Sequence, residues 1–203
     1  MKKLLVIDCS PKGELSASRK ISQKLMEKFK SLHPTLEIIH RDLTQAPPPH
    51  LNPKMVQAFF TPAAQRSHDQ KKLIALSDQL TQELIQADAV IVSSPMWNFS
   101  VPSALKAWID HIVRAGLSFQ YTDKGPEGLL DPKKKVFLAL STGGIYSHGP
   151  AQNVDHLAPY LQSVFEFLGI KEIHILRAEG TAYPNGEATA LAKAFADIES
   201  LKV

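Results

Sequence analysis

The sequence predicts a three-layer α/β fold around a five-stranded parallel sheet. Short apolar runs alternate with segments of helical period, which is the pattern of strand, crossover helix and strand repeated. Four of the runs are apolar at nearly every position, His174 being the exception, as expected of strands covered on both faces. A fifth is more polar and reads as an edge.

In chain order the strands are expected at residues 4–7, 36–39, 89–92, 136–140 and 173–176. Helical spacing of apolar residues covers 18–32, 70–87, 102–115 and 154–168, with a last helix over 187–201. Right-handed crossovers leave few topologies for such a set. Without a GxGxxG fingerprint, the flavodoxin-like strand order 2-1-3-4-5 is the expected one, with the polar run around Leu36 at an edge. Ligands in these sheets bind beyond the carboxyl ends of the strands, where the order reverses. The loops after the first, third and fourth strands therefore carry the expectation of function.

The bulk properties set bounds. A chain of 203 residues fits one domain, 1–203, and buries roughly 70% of the surface it would expose unfolded, so no staple or metal is required. With 44% hydrophobic and 21% charged residues, disordered and fibrous classes drop out. The net charge of +3 is spread along the chain. Its densest run, Lys133-Lys134-Lys135, reads as a solvated approach to a strand rather than a nucleic-acid patch. The lone Cys9 cannot form an intramolecular disulfide, which fits the cytoplasm. The opening apolar run stops at Asp8, short of the ~7–15 residues of a signal-peptide core, and no window nears the ~18 apolar residues of a membrane span. No membrane association is expected.

The first loop holds Ser10, Ser16, Ala17 and Ser18, and Ser16 or Ser18 would cap the helix that follows. Hydroxyls and free N–H groups at a helix start suit a terminal monophosphate, although a plain cap and turn would use the same residues. The loop is not GxxxxGK[ST], so it carries no signal for a triphosphate. The second loop, Pro95-Met96-Trp97-Asn98-Phe99, is a stiff turn whose large side chains would flank a flat aromatic ligand or fold back on the core. In the third, Ser141-Thr142-Gly143-Gly144-Ile145-Tyr146, the paired glycines are expected to permit positive φ and close backbone approach.

From Pro95 through Asp110-His111-Ile112-Val113-Arg114-Ala115-Gly116, and on to Phe119, Tyr121 and Gly125-Pro126-Glu127-Gly128-Leu129, the chain resembles the FMN-dependent NADH azoreductases. The likeness extends from the first strand to Arg177-Ala178-Glu179-Gly180. It implies a flavodoxin-like homodimer with one FMN per subunit and active sites at the dimer interface. It further implies a phosphate site at Ser10, Ser16, Ala17 and Ser18, and an isoalloxazine site at Pro95, Met96, Trp97, Asn98, Phe99, Ser141, Thr142, Gly143 and Gly144. NADH or NADPH would be the co-substrate, in a ping-pong scheme whose second half reduces a quinone or azo acceptor. Two positions depart from the family pattern: Trp97 stands where Tyr is usual and Thr142 where Arg is frequent.

The segments 44–70 and 116–134 far exceed the usual 2–6 residue connections and read as lids or dimer arms. Their aromatic residues Phe59, Phe60, Phe119 and Tyr121, together with Tyr146, are the candidate acceptor-facing side chains. Since a bound flavin carries its own chemistry, no catalytic side chain is expected. No GxSxG elbow or HExxH pair is present, and Asp110 and His111, adjacent on a helix, read as a surface or interface pair. The competing readings are an FMN-binding electron carrier, against which the sequence pI of about 8.9 and the long loops count, and a flavin-binding sensor that does not turn over.

Overall fold

The computed structural model describes residues 1–201. In chain order the elements are β1 (Lys3–Asp8), α1 (Ala17–Leu32), β2 (Glu37–Asp42), α2 (Pro53–Phe60), α3 (His68–Gln86), β3 (Ala89–Pro95), α4 (Ser103–Ile112), β4 (Phe119–Thr122), β5 (Gly125–Gly128), β6 (Lys135–Ser141), α5 (Ala158–Phe167), β7 (Glu172–Ala178) and α6 (Gly186–Ser200). The main sheet runs β2-β1-β3-β6-β7 with every pairing parallel, which is the 2-1-3-4-5 order expected for five sheet strands.

Alternation along the strands divides the core in two. Leu5, Ile7, Val90, Val92, Leu138 and Leu140 face α3, α4 and α5, where Leu84, Trp108 and Phe165 complete the packing. Leu4, Val6, Ile91 and Phe137 face α1 and α6 through Ile21, Phe29, Ala194 and Ile198. Residues of β1, β3 and β6 are buried at almost every position because both sheet faces are covered, and that double coverage is what made their apolar runs continuous. The edge strand β2 has only exposed and half-buried positions.

Several boundaries move for local reasons. Helix α4 stops at Ile112, short of the expected residue 115, because the Ser118 hydroxyl donates to the Ile112 carbonyl (2.7 Å) and accepts from the Arg114 N–H (2.8 Å). Helix α5 begins at Ala158 rather than 154, since the Asp155 carboxylate accepts from the N–H groups of Leu157 and Ala158 and holds the chain in a turn just before the helix. The long segments are not bare loops. Asn52 caps α2 with Pro53 in its first turn, and β4 pairs antiparallel with β5 as a separate hairpin.

Two sequence-based expectations, about a lysine and a histidine, are corrected. Lys134 is buried rather than solvated, because its ammonium donates to the carbonyls of Ala87 and Ile85 at the end of α3. His111 is not a surface residue. It is fully buried, its Nε2 lies 2.8 Å from the Pro49 carbonyl, and the neighbouring Asp110 pairs with Lys106 instead. Close to His111, the Arg114 guanidinium sits 3.7 Å from the ring centroid of Phe59 and ties α2 to the segment that follows α4.

At the carboxyl ends of β1 and β2, Asp42 receives hydrogen bonds from Arg19 of α1 and from Thr44. Burial alone would raise the Asp42 carboxyl, but these donors outweigh it and hold it down at about 2. A depressed carboxyl stabilises the fold above its unfolded value near 4 and loses that contribution as pH falls toward 2. Asp42→Asn should therefore cost about 2 kcal/mol at pH 7. In urea unfolding, the gap from the unaltered protein should close between about pH 4 and pH 2. A gap independent of pH would show that the carboxylate charge contributes nothing.

Candidate functional site

The chain leaves β1 toward α1 on one face of the sheet and leaves β3 toward α4 on the other, so the loops diverge and a cleft opens at their root. That cleft encloses about 250 Å³. It is lined by Ser10, Ser16 and Ala17 from the first loop, by Pro95, Met96 and Trp97 from the second, and by Ser141, Thr142 and Gly143 from the third. A larger hollow of about 590 Å³ lies at the amino ends of the strands, around Lys2, Asp88 and Lys134. Size does not favour it as a site, since its buried cation is already committed to helix carbonyls and burial pushes that ammonium's pKa down.

At one end of the cleft stands the start of α1. Ser16 is its N-cap, the Ser16 Oγ accepting from the Arg19 N–H at 3.5 Å. The N–H groups of Ala17 and Ser18 have no acceptor among the described residues, and no acidic side chain occupies the first turn. The positive end of the helix dipole and these donors make a place for an anion. Ser18 stands one layer behind. Fully buried, its hydroxyl lies 3.0 Å from that of Ser16 and accepts from Ser93 of β3 at 3.2 Å, so it braces the cap rather than lining the cleft.

At the other end, Trp97 and Ser100 close a tight hairpin, with N–H to carbonyl bonds of 2.8 and 3.1 Å in the two directions. Its two central residues, Asn98 (φ 48°) and Phe99 (φ 70°), are both left-handed, as a type I′ turn requires. Asn tolerates that region, but Phe does so at a cost of order 1–3 kcal/mol, and such strain gathers at binding sites. Trp97 is 54% exposed, so a large ring is presented to solvent rather than folded into the core. Phe99 packs edge-on against half-buried Tyr146 at 6.4 Å, and its carbonyl accepts from His156.

The paired glycines serve differently from the expectation. Neither Gly143 nor Gly144 has positive φ, because the chain after β6 runs on beside the segment following β7, with Ala182 N–H donating to Gly143 and Gly180 N–H to Gly144. A Cβ at Gly143 would meet nothing nearer than Ala182 at 3.4 Å, so no neighbour in the chain demands glycine there. The bare backbone instead leaves the cleft wall open to close approach from outside. Glu179 fixes this wall by accepting from the N–H groups of Tyr146 and Ser147, and Arg177 joins Glu179 to Asp155 at the start of α5.

Not every expected residue arrives at the cleft. Asn98 and Phe99 form the turn above it, and Gly144 and Tyr146 lie just beyond its edge. Phe59, Phe60, Phe119 and Tyr121 are absent from its lining within one chain. Phe119 is 7% exposed and packed on Phe167, whereas Phe60 and Tyr121 are each 74% exposed. Lining residues that sequence reading passed over are Pro11, Lys12, Leu15, Thr181, Ala182 and Glu187. Pro11, Lys12 and Leu15 belong to the first loop already singled out, whereas the signal for Thr181, Ala182 and Glu187 was topological: the connection from the last strand into α6 reaches the same rim.

A flavin mononucleotide matches this donor set: hydroxyls and amides for a phosphate, an exposed indole and a side-chain-free wall for a flat ring. The comparisons agree with the geometry. Residues 2–201 match the family described as flavodoxin-like fold. The FMN-dependent NADH:quinone oxidoreductase of Herminiimonas arsenicoxydans is 44% identical over 202 residues, which are 99% of this chain and 98% of that protein. That of Azotobacter vinelandii is 42% identical over 180 residues, covering 89% and 88%. An azoreductase of Bacillus anthracis superposes with a TM-score of 0.88 at 27% identity over 99% of this chain and all of that one. A second structure from that species, an FMN-dependent NADH-azoreductase in complex with FMN, gives 0.88 at 27% over 98% and 96%. Matched along almost its whole length, the chain belongs to the flavodoxin-like family that contains the FMN-dependent NADH:quinone oxidoreductases.

Proposed function

We propose that this chain is an FMN-dependent NADH:quinone oxidoreductase that also reduces azo compounds, acting as one flavin-binding domain in the cytoplasm. The observation that carries the reading is the meeting, in one cleft at the sheet's reversal, of an anion-ready helix start and a strained aromatic hairpin. Ser10, Ser16 and the amides of Ala17 and Ser18 would hold the phosphate. Met96, Trp97 and the backbone from Ser141 to Gly144 would hold the ring. Bound there, FMN supplies two-electron redox chemistry between NADH or NADPH and the acceptor.

The chain's own part is positional and electrostatic. Pro95, Met96, Trp97, Ser141, Thr142 and Gly143 carry no ionisable group, so this wall offers peptide dipoles and hydroxyls rather than a proton donor. Trp97, already exposed, covers one side of the slot and limits water there. A homodimer would give the outlying aromatic residues a role: Phe60 and Tyr121, exposed on one chain, would be buried by a second and would close the slot from outside. An electron carrier, by contrast, would have no need of such a slot for a second small molecule.

Placing a carboxylate at the helix start tests the phosphate assignment. Ala17 is 7% exposed and borders the core under α1, so Ala17→Asp should lower the apoprotein's urea stability despite the favourable dipole, and affinity is compared on protein shown by circular dichroism to be folded. FMN affinity, followed by quenching of flavin fluorescence, should fall at least tenfold by charge repulsion. Undiminished affinity would move the phosphate elsewhere. In Trp97→Tyr the flavin should remain bound while kcat/KM shifts severalfold for some members of a quinone and azo panel. Identical rates for every acceptor would mean that Trp97 does not face the slot.

A further inference from the structure

Behind the first loop, out of the cleft, lies a compact group of charges that the proposed function has not used. Arg19, in the first turn of α1, is 5% exposed. Its Nη2 donates to the Ser10 carbonyl at 3.2 Å, to Asp42 Oδ1 at 2.8 Å and to Thr44 Oγ1 at 3.3 Å. Its Nη1 lies 2.7 Å from Asp42 Oδ2 and 4.0 Å from Asp8 Oδ2, while Asp8 in turn meets His40 Nε2 at 2.6 Å. The backbone N–H of the same Arg19 points at Ser16 Oγ. One residue thus grips both the beginning of the loop, at Ser10, and the helix cap that ends it.

A buried ion pair is a poor way merely to fasten a helix to a sheet, since an apolar side chain would do so without desolvating charge. What only a guanidinium can do here is hold Asp42 with one edge and the Ser10 carbonyl with the same fork, leaving that carbonyl's lone pairs engaged behind the loop. Without Arg19 that carbonyl would keep only the 3.3 Å bond from the Gly13 N–H, a contact inside the same loop, and could turn with the loop toward the cleft, where its negative end would oppose a phosphate. We propose that Arg19 is the positioning residue of the phosphate loop, and that the chain's preference for a phosphorylated flavin over riboflavin depends on it. The inference rests on the reading of the cleft as an FMN site.

The experiment compares FMN with riboflavin on apoprotein of the unaltered chain, Arg19→Lys, Arg19→Met and Asp42→Asn, each checked for folding by circular dichroism and thermal unfolding. Arg19→Lys keeps the charge but cannot span both acceptors. It should weaken FMN about 10- to 100-fold, as expected for a lost charge-assisted bond, and change riboflavin less than about threefold. Arg19→Met should do at least as much, and Asp42→Asn, which loosens the fork from its far side, should weaken FMN alone by a smaller factor. If Arg19→Met does not fold, the lysine and Asp42 variants carry the comparison. Parallel losses of FMN and riboflavin, or FMN affinity undiminished in Arg19→Lys, would overturn the inference while leaving the FMN site in place. Equal affinity of the unaltered chain for FMN and riboflavin would overturn the phosphate site and the inference together.

Discussion

Strands β1 and β3 lie side by side and parallel, yet their connections leave on opposite faces of the sheet, to α1 and to α4. Backbone hydrogen bonding holds the two strands close, so the separation must open above them, at their carboxyl ends. Helix α1 then delivers its positive end to one side of the gap, and the Trp97–Ser100 hairpin leans over the other. The remaining features of the rim adapt to this divergence. Ser93 of β3 reaches across to Ser18 of α1, and the segment after β7 extends the sheet's pairing to keep Gly143 and Gly144 in line.

The left-handed Asn98 and Phe99 add a second constraint. A turn with both central residues at positive φ is ordinarily made with Gly or Asn, so a phenylalanine there is maintained by its surroundings: the Tyr146 ring beside it and His156 bonded to its carbonyl. Those partners belong to the β6–α5 connection, which Glu179 and Arg177 anchor to the end of β7. The hairpin that would shape the flavin slot is therefore held by the last strand as well as its own.

Much of this was legible in the residues. The central strands announced themselves because burial on both faces leaves no polar alternation, and the sheet order followed from the crossover rule and the polar composition of β2. Side-chain partners were not legible. Lys134 reads as solvated until the carbonyls of α3 are seen beside it, and His111 reads as a surface or interface residue until Pro49 arrives from 62 residues away. Helix α2 was not legible, because eight residues inside a long connection offer little periodicity even with Asn52 and Pro53 at its start. The left-handed hairpin was hidden for a different reason, since Phe99 is the residue least expected there.

The central claim is that this cleft lets one flat slot serve first a nicotinamide and then an acceptor. Anaerobic mixing of the FMN-loaded protein with NADH, watched at the flavin absorbance, tests it most directly. The account predicts rapid bleaching followed by recovery of the oxidised spectrum, in proportion to added quinone. Persistence of the oxidised spectrum in excess NADH would contradict it.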